Sequence, residues 1–168
     1  IALNGQILYA VTGGGYEAID REGRILSTLV TRNAQLVVSD ISDPVHPQLI
    51  NKVTADGEQP FHFKEALSPD GFRALTVAGD DLFLVGGNQL YHFDVTLAAD
   101  PLLLERTALP STINDLVVDN DLLYVSGEFG VRLYQRLADR RLVELHALDS
   151  VALGGVPSRL RVDGDTLW

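Results

Sequence analysis

The sequence predicts an all-β fold: a segment of a β-propeller made of four-stranded antiparallel blades. Two observations support this prediction. A strand–turn–strand pattern recurs along the chain, and the interval between its copies matches the length of one blade. Four-stranded units at a period of about 40–45 residues are typical of β-propellers, in which neighbouring blades bury each other's faces. We therefore expect about three blades and the start of a fourth.

The recurring pattern is an apolar residue, a short turn of Asn, Asp or Gly, and then leucine beside an aromatic residue. Its four copies are LNGQILYAV (3–11), VAGDDLFLV (77–85), VDNDLLYVS (118–126) and VDGDTLW (162–168). Asn and Gly tolerate the positive φ angles of tight hairpin turns, so each copy is predicted to join two antiparallel strands. The interval is 41 residues from Val77 to Val118 and 44 residues from Val118 to Val162.

One aromatic ring occupies the same position in each copy. The four residues are Tyr9, Phe83, Tyr124 and Trp168. Such regularity is typical of a core, in which one large ring per blade packs against the neighbouring blade. We expect these rings to be structural rather than a ligand-binding stripe.

The third strand of each unit is predicted from LVVSDI (36–41), LYHFDV (90–95) and, more loosely, VRLYQR (131–136). A polar turn and a further apolar strand follow each of them. The predicted blades span about residues 1–70, 71–110 and 111–156, with an incomplete blade at 157–168. The first blade carries two insertions, at about 14–32 and 54–69, whose polar, Gly and Pro content suits surface loops. Because the sequence stops inside the fourth unit, we expect it to be part of a longer protein.

Composition and charge limit the classes of partner. The chain has 168 residues, of which 46% are hydrophobic and 21% charged, as in globular proteins. Its net charge of −10 argues against nucleic acid and anionic membrane surfaces. No apolar run approaches the roughly 18–20 residues of a membrane helix, so we expect no membrane insertion. The absence of cysteine excludes disulfides and thiolate chemistry.

The segment LVVSDISDPVHPQLI (36–50) resembles the repeat of the LVIVD β-propellers of bacterial secreted and surface proteins. Residues 90–104 keep the Asp-Val and Asp-Pro pairs of this repeat with a longer turn, whereas the copy from Val131 has lost both Asp and Pro. The resemblance covers nearly all of the chain outside the two insertions. It implies a propeller fold and an extracellular or cell-surface location within a larger bacterial protein. It implies no defined activity.

The candidate binding segment lies in the second insertion. It comprises Phe61, His62, Phe63, Lys64 and Glu65, so that a histidine stands between two aromatic residues and is followed by two charges. Loops between blades line the rims of the central channel, where propellers usually bind ligands. The alternative is a loop that Phe61 or Phe63 pins onto the blade.

A glycine-rich run in the first insertion allows a second hypothesis. GGGYEA (13–18) fits a loose G-x-G-x-x-A pattern, and Asp40 ends the next strand, where a dinucleotide-binding fold places its ribose-binding acid. That fold requires a helix over residues 16–30, and Gly23 lies in the middle of that range. Asp40 also continues directly into the repeat. We therefore favour a glycine-rich loop between blade strands.

Acidic turns raise the question of a metal. They are Asp80-Asp81, Asp119-Asn120-Asp121 and Asp163-Gly164-Asp165. Carboxylates spaced in this way can bind Ca²⁺, yet none continues into a full loop with a distal Glu, and the same residues suit tight turns. The histidines show no metal-ligand spacing, and His92 is predicted to pack within a strand. We expect no cofactor or metal, with Ca²⁺ at these turns as the alternative.

These observations favour a non-catalytic interaction or scaffold module. It would bind protein or glycan through loops between strands and pack against other blades or domains of the same larger chain. The alternative is a fragment of a propeller enzyme, a hydrolase or lyase, with its active site at the central channel. No G-x-S-x-G motif occurs, so the sequence assigns no catalytic residue.

Overall fold

The structure of the chain, a computed structural model, describes residues 1–12, 19–21, 24–26, 35–50, 72–164 and 166–168. Every regular element in these ranges is a β-strand. The strands are β1 (Ala2–Asn4), β2 (Ile7–Thr12), β3 (Ile19–Arg21), β4 (Arg24–Leu26), β5 (Gln35–Asp40), β6 (Gln48–Leu49), β7 (Phe72–Ala78), β8 (Asp81–Gly86), β9 (Gln89–Asp94), β10 (Leu102–Ala108), β11 (Ile113–Asp119), β12 (Leu122–Gly127), β13 (Gly130–Arg136), β14 (Leu142–Leu148), β15 (Val162–Asp163) and β16 (Thr166–Leu167).

The strands form three four-stranded antiparallel sheets, which confirms the predicted blades. Blade 1 has the order β1-β2-β5-β6, blade 2 is β7 to β10, and blade 3 is β11 to β14. The two-stranded hairpin β15–β16 follows at the position of a fourth blade. A second small hairpin, β3–β4, lies within the first predicted insertion, between β2 and β5. The fold is therefore an all-β propeller segment.

The four predicted turns adopt the backbone conformation that their residues favour. Gly5, Gly79, Asn120 and Gly164 have φ angles of 57°, 59°, 54° and 57°. A positive φ strains residues with a side chain, and Gly and Asn tolerate it best. The repeat pattern therefore encodes the hairpins directly.

The central strands of blade 2, β8 and β9, are buried on both faces because a blade packs on each side of them. Strand β8 alternates, so that Leu82 and Leu84 pack with Tyr9 of blade 1, while Phe83 and Val85 pack with residues of blade 3. All six residues of β8 are buried. The first strand of blade 2, β7, contacts the first strands of both neighbours, β1 and β11. Hydrophobic burial between faces thus holds the three blades side by side.

The repeated aromatic position behaves as predicted where a neighbouring blade is described. Tyr9 and Phe83 are fully buried between blades, and the Tyr9 hydroxyl donates to the Ala98 carbonyl of blade 2 at 2.7 Å. Burial raises the pKa of Tyr9 to about 12. Tyr124 is half-buried, and Trp168 is 73% exposed. The rings thus act as core residues that join consecutive blades.

The loops of the propeller lie at two rims. The first rim carries the turns after the first and third strand of each blade, and the second rim carries the connections after the second and fourth strands. The strand ends that flank the two predicted insertions, at Thr12, Gln35 and Phe72, belong to the second rim. In the described part of the chain, no helix has the length and apolar character needed to cross a membrane.

Candidate functional site

The segment Phe61 to Glu65, predicted from the sequence as a binding site, lies outside the described residues, so its role stays a prediction. The dinucleotide hypothesis is wrong. Strands β2 and β5 pair directly and antiparallel, with Thr12 opposite Gln35, whereas a dinucleotide-binding unit needs parallel strands. Asp40 instead accepts the Ser42 backbone N–H at 2.8 Å, as a turn residue of the repeat.

A buried polar network joins blade 2 to blade 3. Asp81 begins β8 and is 3% exposed, and His92 in β9 is 1% exposed. His92 Nε2 lies 2.6 Å from Asp81 Oδ1, and Arg136 Nη1 lies 2.6 Å from Asp81 Oδ2. Arg136, at the end of β13, also binds the Asp121 carboxylate at 2.9 Å. That second bond raises the pKa of Arg136 further above its usual range.

The same three positions are apolar at the other interface. In the strand registers, Asp81 corresponds to Ile7 and His92 to Val38. Arg136 corresponds to Val95, because both donate their backbone N–H to the turn between the first two strands of their blade. Ile7, Val38 and Val95 pack together between blades 1 and 2. The fold therefore does not require a polar network at an interface of this kind.

A second ion network lies beside the first. The Arg140 guanidinium reaches Asp94 Oδ1 at 2.6 Å, Asp80 Oδ2 at 3.7 Å and the Thr96 hydroxyl at 3.0 Å. The hydrogen bond to Asp94 raises the pKa of Arg140 above its usual range. Arg140 follows β13 in the chain and Asp94 ends β9, so this network also spans the interface between blades 2 and 3.

We expect the Asp94 carboxyl to titrate with a pKa of about 2, lowered from 3.8, first by the Thr96 hydroxyl, then by the Thr96 backbone N–H and by Arg140. Its contribution to folding is then complete above pH 3.8 and is lost as the pH falls toward about 2. Thr96→Val should raise this pKa, because it removes the largest single cause of the lowering. Carboxyl ¹³C titrations by NMR measure the shift. An Asp94 pKa that Thr96→Val leaves unchanged would contradict this assignment.

Two clefts open between blades 2 and 3, one on each side of Arg140. The first cleft has a volume of about 420 Å³ and lies at the first rim; it is lined by Gly79, Asp80, Asp81, Asp121, Arg136, Leu137, Ala138 and Arg140. The second cleft has a volume of about 240 Å³ and is lined by His92, Leu104, Glu105, Asp139, Arg140 and Arg141. The Asp81–His92 pair therefore connects the walls of both clefts.

The contacts of His92 define its protonation pattern. Arginine is always charged, so its partner Asp81 is a carboxylate that can only accept hydrogen bonds. The contact with Asp81 then requires a hydrogen on Nε2 of His92. Phe83 stacks on the ring with a centroid distance of 4.5 Å. Nδ1 has no hydrogen-bond partner among the described residues.

The acidic turns serve the hairpins and ion pairs. Asp119 and Asp121 flank Asn120 at its positive φ, and Asp121 pairs with Arg136. Over the described ranges, which leave out Asp165, no group of three or more His, Asp or Glu side chains is placed to hold a metal ion. The expectation of no metal, and Ca²⁺ at these turns as its alternative, both stay predictions.

The sequence contains a signal for this network, which the prediction from the repeats did not use. Asp81, His92 and Arg136 are polar where the aligned copies have Ile7, Val38 and Val95. Within a repeat, a polar residue at an apolar position marks a local departure from the shared core. Reading Asp80 and Asp81 together as a turn hid the fact that Asp81 faces the next blade.

Comparison of the chain with protein-family models and with curated proteins gives no match in either case.

Proposed function

We propose that this chain is a non-catalytic interaction module that binds protein or glycan through loops between its strands. One observation carries the proposal: the interface between blades 2 and 3 holds a buried Asp–His–Arg network where the matching interface is apolar. Buried ion pairs are weak sources of stability compared with well-packed apolar residues. The presence of polar groups at such a position supports a role in recognition.

The surroundings of this interface support binding through loops. Asp80 and Asp121 stand in hairpin turns of the first rim, with side chains 62% and 68% exposed. Arg136 and Arg140 beside them are held by several carboxylates, so their guanidinium groups are fixed in position before a partner arrives. Preorganised groups lose less conformational entropy on binding. The location in a larger secreted or cell-surface bacterial protein rests on the resemblance of residues 36–50 to LVIVD repeats.

The test is a binding screen of the full chain on a glycan array and on a panel of basic and neutral peptides. We expect at least one class to bind, and the double variant Asp80→Asn/Asp121→Asn to bind at least about fivefold more weakly, because two solvated rim charges are removed. Glu128→Gln is the matched control, because this exposed acid lies in the β12–β13 turn at the second rim. No binding to either panel, or equal losses in both variants, would contradict the proposal.

The Asp81–His92 pair also favours a second candidate, a fragment of a propeller hydrolase or lyase. A carboxylate that orients one ring nitrogen while the other stays free is a common arrangement of a general base. The described contacts of His92 include no Ser or Thr hydroxyl, and the ring lies between blades rather than on an innermost strand. Turnover of nitrophenyl esters or glycosides that disappears in His92→Val would establish this candidate over the binding module.

A further inference from the structure

The three blades differ in the residues at one set of positions on their faces. We call the face of a blade that packs on the next blade its outgoing face, and the opposite face its incoming face. Blade 2 has Asp81 and His92 on its outgoing face, and blade 3 has Arg136 on its incoming face. The outgoing face of blade 1 and the incoming face of blade 2 carry only apolar residues at these positions. The interface between blades 2 and 3 is therefore chemically distinct from the interface between blades 1 and 2.

Two faces remain, and both are apolar at the same positions. The strand registers place Leu122 and Leu133 on the outgoing face of blade 3, where blade 2 has its aspartate and histidine. On the incoming face of blade 1, Ile41 takes the position of the arginine, because its backbone N–H also donates to the turn between the first two strands. Among the described blades, one outgoing face and one incoming face are polar at these positions, and these two faces meet.

Any other pairing of these faces would bury a charge without its partner. Arg136 on the outgoing face of blade 1 would meet Ile7 and Val38. Asp81 on an apolar incoming face would lose the guanidinium that it contacts at 2.6 Å. A buried ion that has lost its partner is far more costly than either the matched pair or an apolar contact. Matched faces thus exclude wrong neighbours, as single polar residues fix the register of coiled coils.

The connections between the blades make such exclusion useful during folding. Residues 109–112 alone join β10 to β11, so the chain holds blade 3 next to blade 2. Residues 50–71 join β6 to β7, and a longer connection restrains the two elements that it joins less tightly. If all interface positions were apolar, blade 1 would accept blade 3, or a blade of a second copy, as well as blade 2. Repeat proteins are prone to misassembly of this kind.

We infer that the Asp81–His92–Arg136 network sets the order of the blades. It admits blade 3 to the outgoing face of blade 2 and excludes the other described blades, whether they belong to the same copy of the chain or to a second copy. A role of this kind agrees with the small stabilisation expected from a buried ion pair, because the network acts against wrong neighbours. The inference goes beyond the proposed function and does not depend on it, since binding is tested at the solvated Asp80 and Asp121 carboxylates.

The test is refolding of the full chain after unfolding in urea. Size-exclusion chromatography with light scattering measures the associated fraction, and ¹H–¹⁵N correlation spectra of the monomer count its conformers. We expect the natural sequence to refold to one species. The triple variant Asp81→Ile/His92→Val/Arg136→Val should fold and yield at least about fivefold more misassembled material, because its interfaces are no longer distinct. A triple variant that refolds as cleanly as the natural sequence, or that does not fold, overturns the inference.

An exchanged variant separates blade order from the loss of charge. It adds Ile7→Asp, Val38→His and Val95→Arg to the triple variant, so that the polar set moves to the interface between blades 1 and 2. Asp80 accepts the backbone N–H of Val95 as Asp121 accepts that of the natural arginine, so a carboxylate lies near the new one. The two interfaces differ again, and the misassembled fraction should return to within about twofold of the natural value. A fraction that stays at the level of the triple variant, or loss of the folded state, overturns the inference.

Discussion

Asp81→Ala is expected to lower the free energy of unfolding of the full chain by about 1–3 kcal/mol, because it leaves the buried Nε2 hydrogen of His92 without its acceptor. Asp81 is almost fully buried and contacts both partners at 2.6 Å. Arg136 retains the Asp121 carboxylate at 2.9 Å and the Ala78 carbonyl at 3.1 Å, so the loss falls mainly on His92. Urea denaturation followed by circular dichroism measures the change. A loss below about 1 kcal/mol would show that water replaces the carboxylate at little cost.

The matched control removes the whole network. The triple variant Asp81→Ile/His92→Val/Arg136→Val installs the residues that already pack between blades 1 and 2 at these positions. Replacing a buried ion network with apolar residues is often neutral or stabilising by about 1–4 kcal/mol. We therefore expect the triple variant to be at least as stable as the natural sequence. A triple variant as unstable as Asp81→Ala would mean that the network is needed for folding, which would remove the main support for a role in recognition.

Gly130→Ala is expected to destabilise the chain by at least about 2 kcal/mol, through backbone strain and direct overlap. Gly130 has a φ of 104°, which residues with a side chain rarely adopt. An added Cβ would overlap the Leu148 carbonyl oxygen and lie 2.7 Å from the Asp149 carbonyl carbon and 2.8 Å from the Ser150 nitrogen. These atoms are backbone, so they cannot rotate away as a side chain would.

Two further glycine variants separate the cost of backbone strain from the cost of steric overlap. Gly79 has a φ of 59° and open space where a Cβ would stand, so Gly79→Ala should cost only the strain of about 1–2 kcal/mol. Gly155 has open space and no positive φ, so Gly155→Ala should change stability by less than about 0.5 kcal/mol. Thermal and urea denaturation of the three variants test this order. Equal effects at Gly130 and Gly79 would show that β13 does not approach the end of β14 closely.

The fold could be predicted from the sequence because the patterns that indicate it are local and repeated. Gly5, Gly79, Asn120 and Gly164 mark turns whose φ angles only a few residue types accept without strain, and their spacing sets the length of a blade. Alternation of apolar residues then assigns the two faces of each strand. Strand ends were less predictable: β10 ends at Ala108 and β14 at Leu148, and no turn residue marks either boundary as clearly as the glycines mark the hairpins. Pairing with the neighbouring strand decides such boundaries.

The candidate site could not be predicted from the sequence in the same way. Asp81 and Arg136 are 55 residues apart, and nothing in local spacing predicts that their side chains meet. The residue type of Asp81 and its place after Asp80 favour a turn. Only the register of β8 shows that its carboxylate faces blade 3. The clefts on either side of Arg140 exist because two separate blades pack together, so no segment of the sequence contains either cleft.

The sequence by itself thus determined the all-β class, the hairpins and the blade period, because turns and alternation depend on neighbours a few residues away. The tertiary structure alone decided which polar residues face one another across a blade interface. A charge buried between blades gains its partner only when the blades pack, so the chemistry of that interface depends on contacts between residues far apart in the chain. In this protein those contacts are the ones that join Asp81 to His92 and Arg136.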